Sequence, residues 1–429
     1  MTRLLTASAC LVAMPALLLL PGRWYLLMWL PFAVGARLVL GLHRRTALTL
    51  VLLGGAALPL SAALHPPNSS DDMYRYIWDG RVQLTGTDPY RYPPAAPQLA
   101  QLRDDFLWPA ASNWCVPGGC TLINRPEVPT IYPPVAEAVF AGVTAVTPAG
   151  SRERPMQLTM AGFAFGLGAF LWYGLRLLGR DPRRAVLWAW CPLVALEAGN
   201  NAHVEVVAVA FTAVAVLVLT RARTGGAAAL GGAALGLAVA TKLTPALLAP
   251  VLARRRPVAV GLGVAGALCA VYLPHVLAVG PGVLGYLPGY LHEEGYADGS
   301  RFALLDLVLP DHLVRPVAVV VLATVAVVVL RTVEEDEPWR AGAAMVGAAL
   351  LVTAPTYPWY AMVLVMLVAY GASTAWFALA VAAYLAQFAP QVGLATHDGQ
   401  RIGYAVALVA VVVGLLRGRP VMRPRRGQV

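Results

Sequence analysis

The chain has 429 residues, 59% of them hydrophobic and only 13% charged, with a mean hydropathy of +0.65. That composition excludes an ordinary soluble globular protein and predicts an all-α polytopic membrane protein, because apolar chain of this density satisfies its backbone in a bilayer only as helices. The formal net charge of +10 invites a nucleic-acid footprint, but the arginines fall in short clusters between apolar runs, so membrane lipids and no nucleic acid are the expected surroundings.

Apolar runs at 4–20, 46–64, 156–173, 204–219, 257–278 and 316–330 each approach the roughly 20 residues that carry a helix across a bilayer. The first resembles a signal peptide in its short positive start, but no small-x-small cleavage site leads into soluble sequence, and it reads as a retained helix. Basic clusters occur at Arg44 and Arg45, at Arg180, Arg183 and Arg184, at Arg221 and Arg223, at 254–256 and in the tail 417–426. The positive-inside rule places these clusters and the amino terminus in the cytoplasm, and residues 65–130 outside.

That first outer loop is too long to be a plain connection and is rich in Pro, Asp and aromatics. Its segment 71–94, DDMYRYIWDGRVQLTGTDPYRYPP, gathers Asp71, Asp72, Asp79 and Asp88 with Arg75, Arg81 and Arg91 among five aromatics. Carboxylates take protons, guanidinium forks hold phosphate and aromatic faces stack on sugar rings, so the mixture suits a phosphorylated glycan ligand. A solvated loop is the plainer alternative. Two adjacent carboxylates without a third ligand are weak evidence for a metal site, so no metal or other cofactor is expected and one of the pair is the preferred general base. Cys115 and Cys120 flank a Pro-Gly-Gly turn in the same loop and are expected to form a disulfide, whereas Cys10, Cys191 and Cys269 lie in apolar runs.

Residues 135–146 can be a crossing or an interfacial helix; the charge rule prefers the latter, because every main arginine cluster then lies inside. Farther on come the polar patch Gly199 to Glu205, with Asn200, Asn201 and His203, and two short apolar pieces around Lys242 that read as a broken hairpin with Lys242 at its outer tip. Lys242 is the only lysine among 32 basic residues. It is either a snorkelling side chain or an ammonium paired with phosphate or carboxylate. A second outer loop at about 280–311 carries Tyr286, Tyr290, His292, Glu293, Glu294, Tyr296 and Arg301, and a last outward corner carries Tyr357, Trp359 and Tyr360. In total about twelve to fourteen crossings are expected in a single integral-membrane domain, 1–429. The unusual polar residues converge on one face, as an enzyme's would, whereas a transporter or flippase of lipid-linked sugars would hold its charges near the midplane.

Asp72-x-Tyr74-Arg75-Tyr76-x-Trp78-Asp79-Gly80-Arg81, Gly86-x-x-Pro89-Tyr90, Asn124-x-Pro126-x-x-Pro129-Thr130-Ile131-Tyr132-Pro133-Pro134, Asn201-x-His203, Lys242-x-x-Pro245 and Pro358-Trp359-Tyr360 together carry a resemblance. The chain resembles the GT-C membrane glycosyltransferases of actinobacteria, in particular polyprenyl-phosphate-mannose-dependent mannosyltransferases, including family 87. The resemblance implies inverting transfer of a sugar, mannose first and arabinose or glucose as alternatives, from a polyprenyl-phosphate donor. The acceptor would be a cell-envelope glycan or glycolipid on the extracytoplasmic face of a bacterial plasma membrane. It implies a catalytic aspartate four residues before a tyrosine and eight before a glycine, a spacing met by Asp72 with Tyr76 and Gly80, with Asp71 in support. On this reading Lys242, Arg75, Arg81 and His203 hold the donor phosphate, and Tyr76, Trp78, Tyr132, Tyr290, His292, Trp359 and Tyr360 contact substrate. The sequence NNAHVE departs from relatives that carry further polar residues directly after the histidine.

Overall fold

The computed structural model describes residues 1–417 except 19, 21, 113, 149, 297 and 298; the basic tail beyond Arg417 lies outside the described residues. Helices α1 (Thr2–Leu17), α2 (Trp29–Val39) and α3 (Arg44–Ala62) lead to α4 (Asp72–Leu84), and α5 (Pro134–Val146) leads to α6 (Arg154–Leu177). Two short helices, α7 (Val186–Ala189) and α8 (Pro192–Val194), run into a π-helical turn, Ala195–Asn200. Next come α9 (Glu205–Arg221), α10 (Gly225–Val239), α11 (Ala249–Leu252), α12 (Pro257–Val279) and α13 (Leu287–Glu293). The chain closes with α14 (Asp311–Thr332), α15 (Pro338–Thr353), α16 (Met362–Tyr370), α17 (Phe377–Phe388) and α18 (Thr396–Arg417). Among the described residues the only strands are β1 (Trp114–Val116) and β2 (Gly119–Thr121), a hairpin in the first loop.

Among the described residues, six helical segments are long and apolar enough to cross a membrane: Arg44–Ala62, Arg154–Leu177, Pro257–Glu293, Asp311–Thr332, Thr374–Val392 and Thr396–Arg417. The protein is an all-α, multi-pass membrane protein. Several other passes are short or broken, and their sequence explains why. Pro182 and Pro192 interrupt the stretch before the π-turn, and α16 is confined between Pro358 and Gly371, whose φ of 149° suits glycine. Every residue of α16 is buried, so protein rather than lipid surrounds it, as an all-apolar helix requires. Helix α12, by contrast, has only Val260 buried and packs on α10 along one side, where an added Cβ at Gly263 would stand 2.0 Å from Ala229 O.

The passes link two chemically distinct ends. At one end, arginines complete the carbonyls that helix termini leave unpaired. Arg183 Nη1 donates to Leu42 O (2.9 Å), and Arg184 Nη2 to Val368 O (2.6 Å). Nearby, Arg256 Nη2 donates to Arg223 O (2.6 Å), while Arg255 pairs with Glu335 and Asp336 and Arg180 with Glu337. The clusters that the charge rule groups together in sequence thus meet in space.

At the other end the C-terminus of α3 is closed by amides. Gln157 Nε2 donates to His65 O (2.8 Å), and Asn200 Nδ2 to Ala62 O (3.1 Å) and Pro66 O (2.9 Å). Both ends of α5 lie here: Val135 N bonds Ala240 O (2.9 Å), and beyond its far end Arg152 sits over the Phe106 ring while Arg154 Nη1 reaches His65 O (3.4 Å). Helix α5 therefore lies across the bundle end instead of traversing it. It packs on α4 at Gly80, where an added Cβ would stand 2.2 Å from Thr144 Oγ1 and 2.6 Å from Phe140 O; one turn earlier Tyr76 stacks on Phe140 at 4.3 Å. Only glycine permits that approach.

Cysteines placed at Glu127 and Arg223, in a chain lacking Cys10, Cys191 and Cys269, should react with an impermeant maleimide from opposite sides of a sealed vesicle. Labelling of both from the same side would contradict the two-ended arrangement.

Candidate active site

Asp71 immediately precedes α4, where a capping carboxylate is common, but its side chain makes no cap bond. Instead its oxygens accept from Trp114 Nε1 (2.8 Å) and Asn124 Nδ2 (2.9 Å). The same Asn124 Nδ2 donates to Asp72 Oδ1 (2.7 Å), so one amide ties the two carboxylates together. Burial pushes the Asp71 carboxyl up from its usual value; the Asp72 charge adds to the rise, and the bonds from Trp114 and Asn124 oppose it. Asp72 Oδ2 faces the buried His203, with Nδ1 at 3.8 Å.

Behind Asp72 lies a layer of buried charge. His203 Nε2 stands 3.4 Å from Glu197 Oε2 and Nδ1 stands 3.9 Å from Glu205 Oε2, while the imidazole stacks on Trp359 at 3.8 Å between centroids. Glu197, on the π-turn, also accepts from Tyr384 OH (2.5 Å) and Asn201 Nδ2 (3.0 Å). Glu205 heads α9 and pairs with Lys242 Nζ at 2.8 Å; the ammonium also lies 5.0 Å from the Tyr132 ring centroid. Ionisable groups are costly to bury alone; Glu205 stands against the Lys242 ammonium and Glu197 accepts from Tyr384 and Asn201, whereas neither ring nitrogen of His203 has a hydrogen-bond partner.

Three non-glycine residues among those described have positive φ: Arg125 (46°), Ala202 (55°) and Ala354 (38°). The left-handed region costs an ordinary residue about 1–2 kcal/mol. Arg125 follows Asn124, Ala202 precedes His203, and Ala354 precedes the Pro355 to Tyr360 corner, so all three border the same site. Such clustering of backbone strain is characteristic of functional regions.

A cavity of about 630 Å³ opens beside Asp71 and Asp72. Arg75, Arg125, Lys242 and Arg301 bring cations to its wall, and Leu243, Leu247, Leu322 and Leu350 make another part of the wall apolar. The loop that carries Tyr290, Glu293 and Arg301 closes over it. Arg125 forms a forked pair with Glu293, Arg301 pairs with Glu294, Tyr357 OH donates to Glu294 (3.0 Å), and Tyr290 and Tyr360 share a hydroxyl contact of 2.7 Å.

The residues singled out in the sequence divide clearly. Asp71, Asp72, Arg75, Tyr132, Lys242, Tyr290, Trp359 and Tyr360 line the cavity. Arg75 spends its Nε on Asp79 (2.9 Å) and Nη1 on Val128 O (3.2 Å), leaving Nη2 buried without a hydrogen-bond partner. His203 is one layer back and fully buried. Four expected contacts fall elsewhere. Arg81 points away from the cavity to Asp104 (2.8 Å), because it lies six residues beyond Arg75 and so on another face of α4. Tyr76 and Trp78 are buried in core packing with Phe140 and Trp108, and His292 is exposed outside the cavity wall. The Cys115–Cys120 disulfide is formed, joining directly opposed residues of the hairpin.

Sequence reading passed over Trp114, Asn124, Arg125, Glu197 and Glu205 as individual site residues. Glu197 carried a usable signal, a carboxylate inside an apolar run. Glu205 did not, since its contact with Lys242 depends on two helices meeting.

Carboxylates beside cations and an apolar wall, at one end of a multi-pass bundle, fit the class of membrane enzymes that transfer sugars. The model of Glycosyltransferase family 87 matches residues 130–355, more than half of the chain, and the protein belongs to that family. The matched segment includes Tyr132, Glu197, His203, Lys242 and Tyr290 and begins after the Asp72 segment. Comparisons with curated proteins and with solved structures give no match.

Replacing Lys242 by Met leaves Glu205 buried without its ammonium, which should cost up to about 3 kcal/mol, less than for a fully dry pair because Lys242 is one-fifth exposed. Thermal unfolding in detergent should register the loss, and Glu205→Gln in the same chain should restore most of it. Equal stability of Lys242→Met and wild type would contradict the pairing.

Proposed function

We propose that this glycosyltransferase moves mannose, with inversion, from a polyprenyl-phosphate donor to a cell-envelope glycan or glycolipid. The transfer takes place on the extracytoplasmic face of a bacterial plasma membrane, and residues 1–429 act as one membrane domain. The observation that carries this reading is the single cavity in which the Asp71–Asp72 pair meets Arg75, Arg125, Lys242, Arg301 and an apolar wall. A lipid-phosphate sugar has the same three parts, namely an apolar chain, an anion and a reacting sugar. The outer placement follows from the arginine-rich end being cytoplasmic.

In the proposed step, the acceptor hydroxyl passes its proton to Asp72 as its oxygen attacks the anomeric carbon from the face opposite the phosphate. The bond from that carbon to the phosphate oxygen breaks, and the lipid phosphate leaves with the electron pair. Asp72 suits the base because Asn124 engages Oδ1, while Asp71 has both oxygens occupied by Trp114 and Asn124. Asn124 holds Asp72 by its 2.7 Å bond, with His203 standing 3.8 Å behind the other carboxylate oxygen. Lys242 and the unsatisfied Nη2 of Arg75 are the groups assigned to the phosphate, whose growing negative charge they stabilise most where water is excluded.

Asp72→Asn keeps the size of the side chain and removes the proton acceptor. It should lower kcat by about a hundred- to ten-thousand-fold in a transfer assay with polyprenyl-phosphate mannose, while donor binding persists. Asp71→Asn should lose much less. Near-normal transfer by Asp72→Asn alongside an inactive Asp71→Asn would assign the base to the other carboxylate.

A further inference from the structure

Trp114 is 38% exposed and forms part of the cavity wall. It stands on β1 of the only hairpin among the described residues, and its indole edge is fixed by the 2.8 Å bond to Asp71. A ladder of three residues a side is marginal by itself. Here it is braced at several points. The disulfide joins Cys115 to Cys120, and the turn residues Gly118 and Gly119 adopt φ values of 113° and 131° that suit glycine. Ser112 Oγ accepts from Trp114 N and donates to Thr121 O, Thr121 Oγ1 donates to Leu107 O (2.7 Å), and Arg103 Nη1 reaches Gly118 O (3.3 Å). The bracing holds an indole at the edge of the site without burying it, so core packing does not account for it.

The cavity needs room for two ligands. The apolar wall of Leu243, Leu247, Leu322 and Leu350 suits the lipid chain of the donor, and Trp114 belongs to the extramembrane first loop next to the carboxylate pair. Resting on the function proposed above, we infer that Trp114 is the platform for the acceptor, with a sugar ring of a glycan or glycolipid lying against the indole so that one hydroxyl reaches Asp72. A locked aromatic face presents apolar area at little entropic cost, which matches the C–H face of a sugar ring, while polar groups alongside read its hydroxyls. This assignment also separates the two carboxylates by role. Asp71 orients the platform, and Asp72 takes the proton.

The test uses the full-length protein in nanodiscs with polyprenyl-phosphate [14C]mannose as donor and octyl glycosides of mannose, glucose and arabinose as acceptor probes. Trp114→Ala should raise the acceptor KM about tenfold, a much larger change than in donor KM or in slow hydrolysis of the donor by water. Trp114→Phe, which keeps a ring and loses the bond to Asp71, should recover most of the acceptor affinity. Reduction of the wild type should raise the same KM, and a Cys115→Ser, Cys120→Ser chain should be indifferent to reductant. An acceptor KM insensitive to Trp114, a parallel loss of donor KM and hydrolysis, or donor hydrolysis by the wild type without transfer to any of the glycosides would each overturn the inference. Full turnover by Asp72→Asn would overturn the functional reading beneath it, whereas an inactive Asp72→Asn with a silent Trp114→Ala would sink the platform alone.

Discussion

The ion pair between Glu205 and Lys242 is the constraint on which the rest of the site depends. A carboxylate that is 4% exposed at the head of a helix in an apolar bundle must have a counter-charge, and the only lysine in the chain supplies it at 2.8 Å. For the two to meet, α9 must begin and the α10 hairpin must turn at the same level. That level is also where His203 faces Asp72 and where Val135, in the first turn of α5, bonds the end of α10. The short and broken passes follow from the same requirement. Unbroken spans would carry these groups past one another, whereas breaks at Pro192, the π-turn and Pro245 stop the chain where the charges need to stand.

Much of the architecture was legible from the residues because it rests on local chemistry. Arginine clusters mark helix ends, since guanidinium groups satisfy terminal carbonyls, and Arg183, Arg184 and Arg256 do this in the folded chain. Both ends of α5 lie at one end of the bundle, as the reading that the charge rule prefers requires, and Lys242 stands in the turn that follows α10. The disulfide was readable from two cysteines around a Pro-Gly-Gly turn. What could not be read was which face of each short helix met the cavity. Arg75 and Arg81 look equivalent in sequence, yet one lines the cavity and the other pairs with Asp104 behind it. Tyr76 and Trp78 carry the motif's aromatic character and spend it on packing α4 against Phe140 and Trp108. The positive φ at Arg125, Ala202 and Ala354 leaves no trace in residue type, because tertiary contacts impose it.

The site is asymmetric in a way that suits a membrane enzyme. Its deeper side sets the buried His203, Glu197 and Glu205 behind Asp72, stiffened by stacking of His203 on Trp359 and of Trp359 on Tyr357. Its outer side is a mesh of exchangeable surface contacts, among them Arg125 with Glu293 and Tyr286 with Glu293. The first can hold a base in place against the pull of an incoming anion. The second can part to admit a substrate, because exposed ion pairs are worth little individually. Under the proposed function, this division would let the site admit its donor and still exclude water at the reacting carbon.

The central claim is that a polyprenyl-phosphate sugar lies in this cavity with its anomeric carbon between the phosphate site and Asp72. A structure of the full-length protein in nanodiscs with polyprenyl-phosphate mannose, in the Asp72→Asn form to prevent turnover, addresses it directly. The account predicts phosphate against Lys242 and Arg75, the lipid chain along Leu243, Leu247, Leu322 and Leu350, and the sugar beside residue 72. Donor density outside this cavity, or a sugar out of reach of residue 72, would contradict it.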